Sequence, residues 1–274
     1  MFEIDNKLVG GNAPLYFIAE AGVNHNCDMK IAKEMVDVAK AAGADCVKFQ
    51  TFKANNLILK SGPKTNYITR AVGGDDVQSW HDLLKAEEMS EEMHVELVKY
   101  CKDKKITFLS TPYGIEEANY LDELGVAGFK VASTDITNLP FLQHLSKIGK
   151  PIILSTAMAE LKEVIEAWEV LQKGISPFAI LQCTGNYPSK IENSNLRVMQ
   201  TYQGLFDCVV GYSDHTLEHV NPIAATALGA KIYEKHFTLD RSMEGPDHPM
   251  SIEPEELKST ISAIRITEKA LGTS

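Results

Sequence analysis

Residues 230 to 240 read AKIYEKHFTLD, and Glu234, Lys235 and His236 stand in succession inside what otherwise reads as a buried strand with Ile232, Tyr233 and Phe237. An acid, a base and an imidazole are costly there unless paired or used, since even a neutral polar group without a partner in an apolar interior costs about 2 to 7 kcal/mol. Alternate strand residues face opposite ways, so Glu234 and His236 share one face and Lys235 takes the other. The same pattern recurs along the chain. Short apolar runs end in Glu20, in Lys48 and Gln50, in Ser110 and Thr111, in Lys130 and Ser133, in Ser155 and Thr156, in Thr184, and in Ser213, Asp214 and His215. For any single Ser or Thr, a strand cap or turn is the ordinary reading. Polar residues at the end of every run imply a shared basin.

The residue types suggest what such a basin binds. Lys48 and Lys130 sit mid-strand in an acidic chain, so their target is an anion. A phosphate or carboxylate would be held by the ammonium groups with the hydroxyls of Ser110, Thr111, Ser133, Ser155 and Ser213 and by nearby helix N-termini. The alternative is that each Lys pairs with a barrel carboxylate such as Glu20 or Asp135. His215 and His236 end adjacent strands at matching heights. Two neutral imidazoles with water and oxygen ligands suit a divalent first-row ion, Mn²⁺ foremost and Mg²⁺ or Co²⁺ as alternatives, with positions open to substrate. Asp214, Asp247 and His248 lie near them in sequence and favour that reading over packing. His25 and Asn26, in AGVNHNCD, fit either a site or a helix-start turn. His81, His94, His144 and His219 read as surface or helix residues. Cys183 ends a strand with no His assigned to activate it and reads as packing.

The elements that must position these groups follow from periodicity. Runs such as YFIAEAG, CVKFQTF, ITFLSTP, GFKVAST, PIILSTA, FAILQCT, CVVGYSD and KIYEKHF are each followed by a stretch with apolar residues at helical spacing. Near-continuously apolar strands alternating with helices predict a parallel sheet, and eight such units predict a closed (β/α)₈ TIM barrel, whose active site lies at the C-terminal ends of its strands. Gly43, Gly125, Gly149, Gly174, Gly229 and Gly272 fall where the helices should stop. Residues 1 to 13 read as a short N-terminal hairpin or cover, and residues 53 to 89 as an insertion after the second strand. The expectation is a single barrel domain over residues 1–274.

Composition narrows the partners. The chain has 274 residues, 44% of them hydrophobic, and a formal charge of −10, which argues against nucleic acid or an anionic membrane as the main partner. Its five cysteines form no C-x-x-C pair, the pattern of reduced thiols in a cytoplasmic protein. No apolar run reaches membrane length, and the N-terminus has no signal-peptide pattern.

The motifs FIAEAGVNHN, GADCVKFQTF, FLSTPY, FKVAST, TNLPFL, KPIILSTAMA, LQCTGNYPS, VGYSDHT, EKHFTLDRSMEGPDH and EPEEL occur in that order. Together they resemble the catalytic barrel of the sialic acid synthase family, which includes N-acetylneuraminate, legionaminate and pseudaminate synthases and the related spore-coat polysaccharide protein. The resemblance implies a cytoplasmic homodimer that condenses phosphoenolpyruvate with the open-chain aldehyde of an N-acylated amino sugar, releasing phosphate and leaving a nine-carbon 2-keto acid. It implies His215 and His236 as metal ligands, and Lys48, Thr111, Lys130, Ser133, Ser155 and Ser213 around phosphoenolpyruvate. Glu20, Gln50, Asp135, Tyr187 and Asp247 would surround the sugar or the attacked water, with Glu20, Lys48 and Asp247 catalytic. Alternatives are a synthase of a different 2-keto sugar acid, a metal-dependent aldolase or isomerase, and a barrel that only binds an acidic sugar or a partner. Cys27, Thr134 and Ala157 stand where the family usually has glycine. The family normally continues past the barrel into a small antifreeze-like domain that donates an Arg to the partner subunit's site. That domain is expected to be absent from a chain that stops at Ser274, and the four arginines, Arg70, Arg197, Arg241 and Arg265, include no strand-end replacement for the donated Arg, Arg70 and Arg241 being expected in loops and offering the alternative of a self-sufficient barrel.

Overall fold

The computed structural model describes residues 1–272 apart from residues 75 and 77. The strands are β1 Phe2–Ile4, β2 Lys7–Val9, β3 Tyr16–Gly22, β4 Cys46–Thr51, β5 Thr107–Pro112, β6 Phe129–Val131, β7 Ile152–Ser155, β8 Phe178–Cys183, β9 Val209–Asp214 and β10 Ile232–His236. The helices are α1 Met29–Ala42, α2 Ala54–Leu57, α3 Asn66–Val72, α4 Trp80–Ala86, α5 Glu91–Lys104, α6 Ile115–Glu123, α7 Leu139–Leu145, α8 Leu161–Leu171, α9 Val198–Leu205, α10 Asn221–Ala227 and α11 Pro254–Leu271. Strands β3 to β10 pair in parallel in chain order, and β10 closes onto β3. This is the TIM barrel that the alternation of apolar runs and helical stretches predicts.

Two cores hold it. The larger lies between strands and helices, where outward residues such as Phe17, Phe49, Phe108 and Tyr233 meet Met35, Leu97, Leu121 and Ile261. The smaller is inside the barrel, where Tyr16, Ile18, Cys46, Leu109, Ile153, Leu181 and Ile232 cluster with Phe2, Ile4 and Val9 of the N-terminal hairpin. Since Tyr16, Val209 and Ile232 open their strands, the hairpin covers the N-terminal end of the barrel. Gly211 faces this interior because a Cβ there would fall 2.4 Å from the Ile232 carbonyl oxygen and 2.7 Å from Leu181 Cδ2. The apolar layers therefore occupy the lower and middle barrel and leave its C-terminal end to polar groups.

Helix boundaries follow local chemistry. Asp28 caps α1 by accepting from the amides of Lys30 and Ile31, and Gly43 ends it at φ 91°. Gly125, Gly149, Gly229 and Gly272 also take positive φ at helix ends, whereas Gly174 does not; a Cβ there would lie 2.3 Å from the Ser146 carbonyl oxygen. Helices α2 to α4 make up the insertion between β4 and α5. Its ends are tied by the Ala54 amide donating to Glu88 Oε1 at 2.7 Å, and α2 meets α4 through His81 Nε2 and Asn55 Oδ1 at 2.8 Å.

The turn after β3 carries Asn26 at φ 49° and Cys27 at φ 53°. The left-handed region costs an L-residue about 1 to 2 kcal/mol, and among the described residues the only polar contact of the Cys27 thiol is a long one to the Glu88 carbonyl at 3.5 Å. Cys27→Gly should therefore stabilise the chain, by about 0.5 to 1 kcal/mol once the extra freedom of unfolded glycine is deducted. A thermal melt that shifts downward would show that the turn relies on the thiol.

Candidate active site

The strand register brings the charged residues together. Glu20 is level with Lys48 on one side and His236 on the other, and Glu234 is level with Ser213. Lys48 Nζ lies 2.9 Å from Glu20 Oε2 and donates to Thr111 Oγ1 at 2.9 Å. Glu234 stands between the two lysines, 3.8 Å from Lys48 and 3.8 Å from Lys130, and accepts from Ser213 Oγ at 3.0 Å. Lys130 Nζ also donates to the Val131 carbonyl at 3.0 Å. All four ionisable groups are buried.

Their protonation follows from who shares whom. Burial raises Glu20 to about 7, because it has one close lysine and faces Glu234. Burial also works against Glu234, but two ammonium groups and Ser213 hold it below the usual carboxylate range. Lys130 is pulled down by burial and by Lys48, only partly offset by Glu234. For Lys48 the two glutamates outweigh burial and raise it. The lysines thus pair with barrel carboxylates, Glu20 and Glu234, and still line an open cavity.

Above this layer sit the imidazoles. His215 Nδ1 lies 2.6 Å from the Thr184 carbonyl oxygen. A carbonyl only accepts, so Nδ1 carries the hydrogen and Nε2 is left with its lone pair. The His215 and His236 rings are 5.6 Å apart, and Tyr187 packs on His215 at 4.0 Å and edge-on to His236 at 5.9 Å. Burial lowers His215 to about 4 and drives His236 well down, so both are neutral. Buried His236 Nδ1 has no hydrogen-bond partner and lies 3.9 Å from Asp247 Oδ2. An orphaned ring nitrogen beside a neutral imidazole and a carboxyl fits the expected divalent ion. Among the described residues no three or more His, Cys, Asp or Glu side chains converge to hold a metal, so water and substrate would have to complete its shell.

These groups line one cavity of about 890 Å³, with Gln50, Ser133, Ser155, Tyr187 and Asp247. Ser155 Oγ is buried there without a hydrogen-bond partner, while Ser133 Oγ accepts from the Ala157 amide at 2.9 Å. Gly22, at φ 54°, lets three side chains close in, since a Cβ there would sit 3.4 Å from Asp247 Oδ2, 3.4 Å from Gln50 Nε2 and 3.5 Å from Glu20 Oε1. Burial raises Asp247 to about 6 despite Lys48. The insertion supplies the outer wall of the cavity, including Glu87, which burial and then Asp247 push up to about 8.

Several expectations are corrected. Asp135 does not line the cavity; the single 3₁₀ turn Ser133–Asp135 carries its carboxylate to Asn138 Nδ2 at 3.2 Å. Ser110 points outward with Phe108 and bonds Thr51 at 2.7 Å, which in turn meets His94 Nε2 at 2.8 Å, so His94 and Ser110 are buried packing polars. His81 is buried as well. Asp214 faces outward, holding Lys235 at 2.6 Å and the Tyr233 hydroxyl at 2.5 Å. His248 bonds Thr238 at 2.6 Å and Asn26 at 3.1 Å, which leaves Asp247 as the carboxylate beside the imidazoles. His25 belongs to the turn, its Nδ1 accepting from the Cys27 amide at 3.0 Å. Cys183 does have a His beside it, His215 at 3.7 Å, but burial pushes its thiol up to about 12, which disfavours a nucleophilic thiolate. Arg70 lies on α3 and lines the cavity, while Arg241 is engaged by Glu253 and Glu256. The residue given no role in advance was Glu234; its place on the His236 face was the available signal.

The sequence profile of the NeuB family matches residues 35–274. The chain belongs to the NeuB family. It is 45% identical over 258 residues to the N,N'-diacetyllegionaminic acid synthase of Campylobacter jejuni, an alignment covering 93% of this chain and 77% of that one. Human N-acetylneuraminate-9-phosphate synthase is 36% identical, with 97% and 74% covered. The N-acetylneuraminic acid synthetase structure from Leptospira borgpetersenii superposes with a TM-score of 0.90 at 33% identity, covering 100% of this chain and 90% of that one. The chain is accordingly an enzyme, a transferase of the sugar-acid synthase type. No helix among the described residues is long and apolar enough to cross a membrane.

The buried carboxyls set a pH dependence. Between about pH 7.5 and 8.5, above the range in which unfolded imidazoles hold protons that the buried histidines have lost, the folded chain still keeps protons on Glu87 (about 8) and in part on Glu20 (about 7), which the unfolded chain, with carboxyls near 4.5, has already released. Raised folded-state values stabilise fully below the unfolded value, and that stability is lost as pH rises through the folded values. Stability of the metal-free chain should thus fall from pH 7.5 to 8.5, by at most about 1.4 kcal/mol per pH unit for each group. Glu20→Gln should flatten the slope, and a melting temperature rising across this window would contradict these assignments.

Proposed function

We propose that the chain condenses phosphoenolpyruvate with the open-chain aldehyde of an N-acylated amino sugar, giving a nine-carbon 2-keto sugar acid and phosphate. The observation that carries this reading is two buried lysines sharing Glu234 directly beneath two neutral imidazoles, in one cavity on the barrel axis. An anion fits the lysine end. Lys48 and Lys130 would offset phosphate and carboxylate charge, with Thr111, Ser133, Ser213 and the unpartnered Ser155 hydroxyl as donors. An aldehyde would lie toward His215 and His236. A divalent ion held by these two, Mn²⁺ by preference, would supply Lewis acidity to the aldehyde oxygen.

The chemistry then balances on residues present. The enol carbon of phosphoenolpyruvate bonds to the aldehyde carbon, and the aldehyde oxygen gains a proton. Water adds to the carbon bearing phosphate and loses a proton, and cleavage of the C–O bond expels phosphate to leave the ketone. Glu20, poised at about 7 beside Lys48, holds or takes a proton at neutral pH, and Asp247, at about 6, does so on the sugar side. The lysines stay charged through the collapse and stabilise the developing phosphate.

The sugar itself is a proposal at a finer grain. The relatives are named for legionaminic, neuraminic and pseudaminic products, and all three leave an N-acylated amino sugar as the class to try. Phosphate release from phosphoenolpyruvate, assayed across a panel of aldoses, tests it: release only with a matching N-acylated amino sugar is expected, and release with none would leave a binding barrel. Lys130→Met should weaken phosphoenolpyruvate binding by about 1.5 to 3 kcal/mol in calorimetry; unchanged affinity would move the anion elsewhere. With His215 and His236 both changed to Ala, bound metal should fall to background by elemental analysis while the fold persists, and retained metal would refute their role as ligands.

A further inference from the structure

Outside the strand ends, the cavity's most unusual group is Glu87. It follows the last turn of α4, among Trp80, Leu83 and Leu84, in an insertion wall that also carries Ile58, Ile68, Thr65, Asn66 and Arg70. No backbone or side-chain group among the described residues donates a hydrogen bond to its carboxyl, and no cation pairs with it; its neighbour Glu88 instead takes Lys85 at 2.8 Å and Lys53 at 3.8 Å. The charge that acts on Glu87 is the like charge of Asp247, which lines the same cavity. A half-buried carboxyl that no donor or cation pairs with, in a cavity it shares with another carboxyl, is an unfavourable arrangement for the empty protein. It becomes favourable when a donor enters between the two.

We propose that Glu87 is a specificity-determining residue that accepts a hydrogen bond from a hydroxyl or acylamino N–H on the part of the sugar remote from its aldehyde. This rests on the synthase reading above. The placement gives the direction: the lysines mark the anion end at the barrel axis, the imidazoles mark the aldehyde, Asp247 stands beside His236, and Glu87 comes from the insertion, off the strand ends. A substituent reaching Glu87 is therefore on the far end of the sugar. The neighbouring Leu83, Leu84 and Trp80 would cover methyl or methylene carbons there, so the unpaired Glu87 carboxyl reads one donor and disfavours sugars that leave it unpaired. A site built around one buried acceptor discriminates strongly against analogues lacking the donor, because the acceptor then stays desolvated.

The test uses the full chain with phosphoenolpyruvate present and measures binding of paired N-acylated amino sugars by calorimetry, each pair differing by one remote hydroxyl or acylamino group. Wild type should prefer the donor-bearing member of at least one pair by about tenfold to a hundredfold. Glu87→Leu, which matches the wall around it, should remove that preference, and Glu87→Gln, which keeps an acceptor oxygen, should restore part of it. Phosphoenolpyruvate affinity should change less than about twofold in both variants, confirming that they fold. Equal preference in wild type and Glu87→Leu, or no preference in wild type, overturns the proposal while leaving the synthase reading intact. Failure of wild type to bind phosphoenolpyruvate at all overturns both.

Discussion

Glu234 is the group on which the site depends. It lies at the centre of the polar end of the barrel, where it touches the reach of both Lys48 and Lys130 and accepts from Ser213. Two ammonium groups buried with one carboxylate and a second carboxyl at about 7 can change charge state with little movement of atoms. An incoming anion strengthens the case for both lysines being charged and for Glu20 being protonated. The protein thus stores, in a low-dielectric layer, the charges that a phosphate and a carboxylate require, at the cost of desolvating them in the empty state. Buried ion pairs of this kind contribute little to stability for that reason. Their placement makes sense as function.

The rest of the fold keeps that layer in place. The hairpin covers the opposite end, so the interior below the lysines is dry, with Tyr16, Leu109, Ile153 and Leu181 beneath them. On the outside of the same strands, Lys235 and Tyr233 meet Asp214, and Ser110 meets Thr51 and His94. These outer bonds join β9 to β10 and β5 to β4 and α5, fixing the heights at which inward residues of neighbouring strands meet. A strand residue that looks catalytic in isolation can therefore serve the site by locking register from the far face.

That distinction explains what the sequence made legible. The eightfold alternation, the pairing of faces in EKH, and the convergence of Glu20, Lys48, Lys130, His215 and His236 all follow from strand periodicity, which is local and regular. The misassigned residues lie where regularity ends or where facing depends on a distant partner. Asp135 follows a short strand and turns away within one 3₁₀ turn. Asp214 ends β9 one residue from inward Ser213 and belongs to the outer face. His94 and His81 do lie on helices, as one half of their reading has it, and are buried there by partners far away in sequence, Thr51 and Asn55. Glu234 was visible on the His236 face, but its bridging of two lysines required the barrel's closure.

The cavity divides its work between two kinds of backbone. Anion-holding and imidazole groups come from strand ends, which are rigid because each strand is bonded on both sides. The outer wall comes from α2 to α4, short helices linked by loops and tied mainly at their ends. Reaction chemistry tolerates small displacements poorly, whereas recognition of a remote substituent needs one group at one place and can be altered by replacing a single residue. A barrel arranged this way can keep the chemistry fixed while the insertion changes, and the relatives named for different sugar acids share with this chain the fold that makes such a division workable. The same physics sets where variation is costly: a change in the buried lysine and glutamate layer leaves a charge unpaired inside the barrel, while a change on the insertion wall alters which substituent is left without a partner.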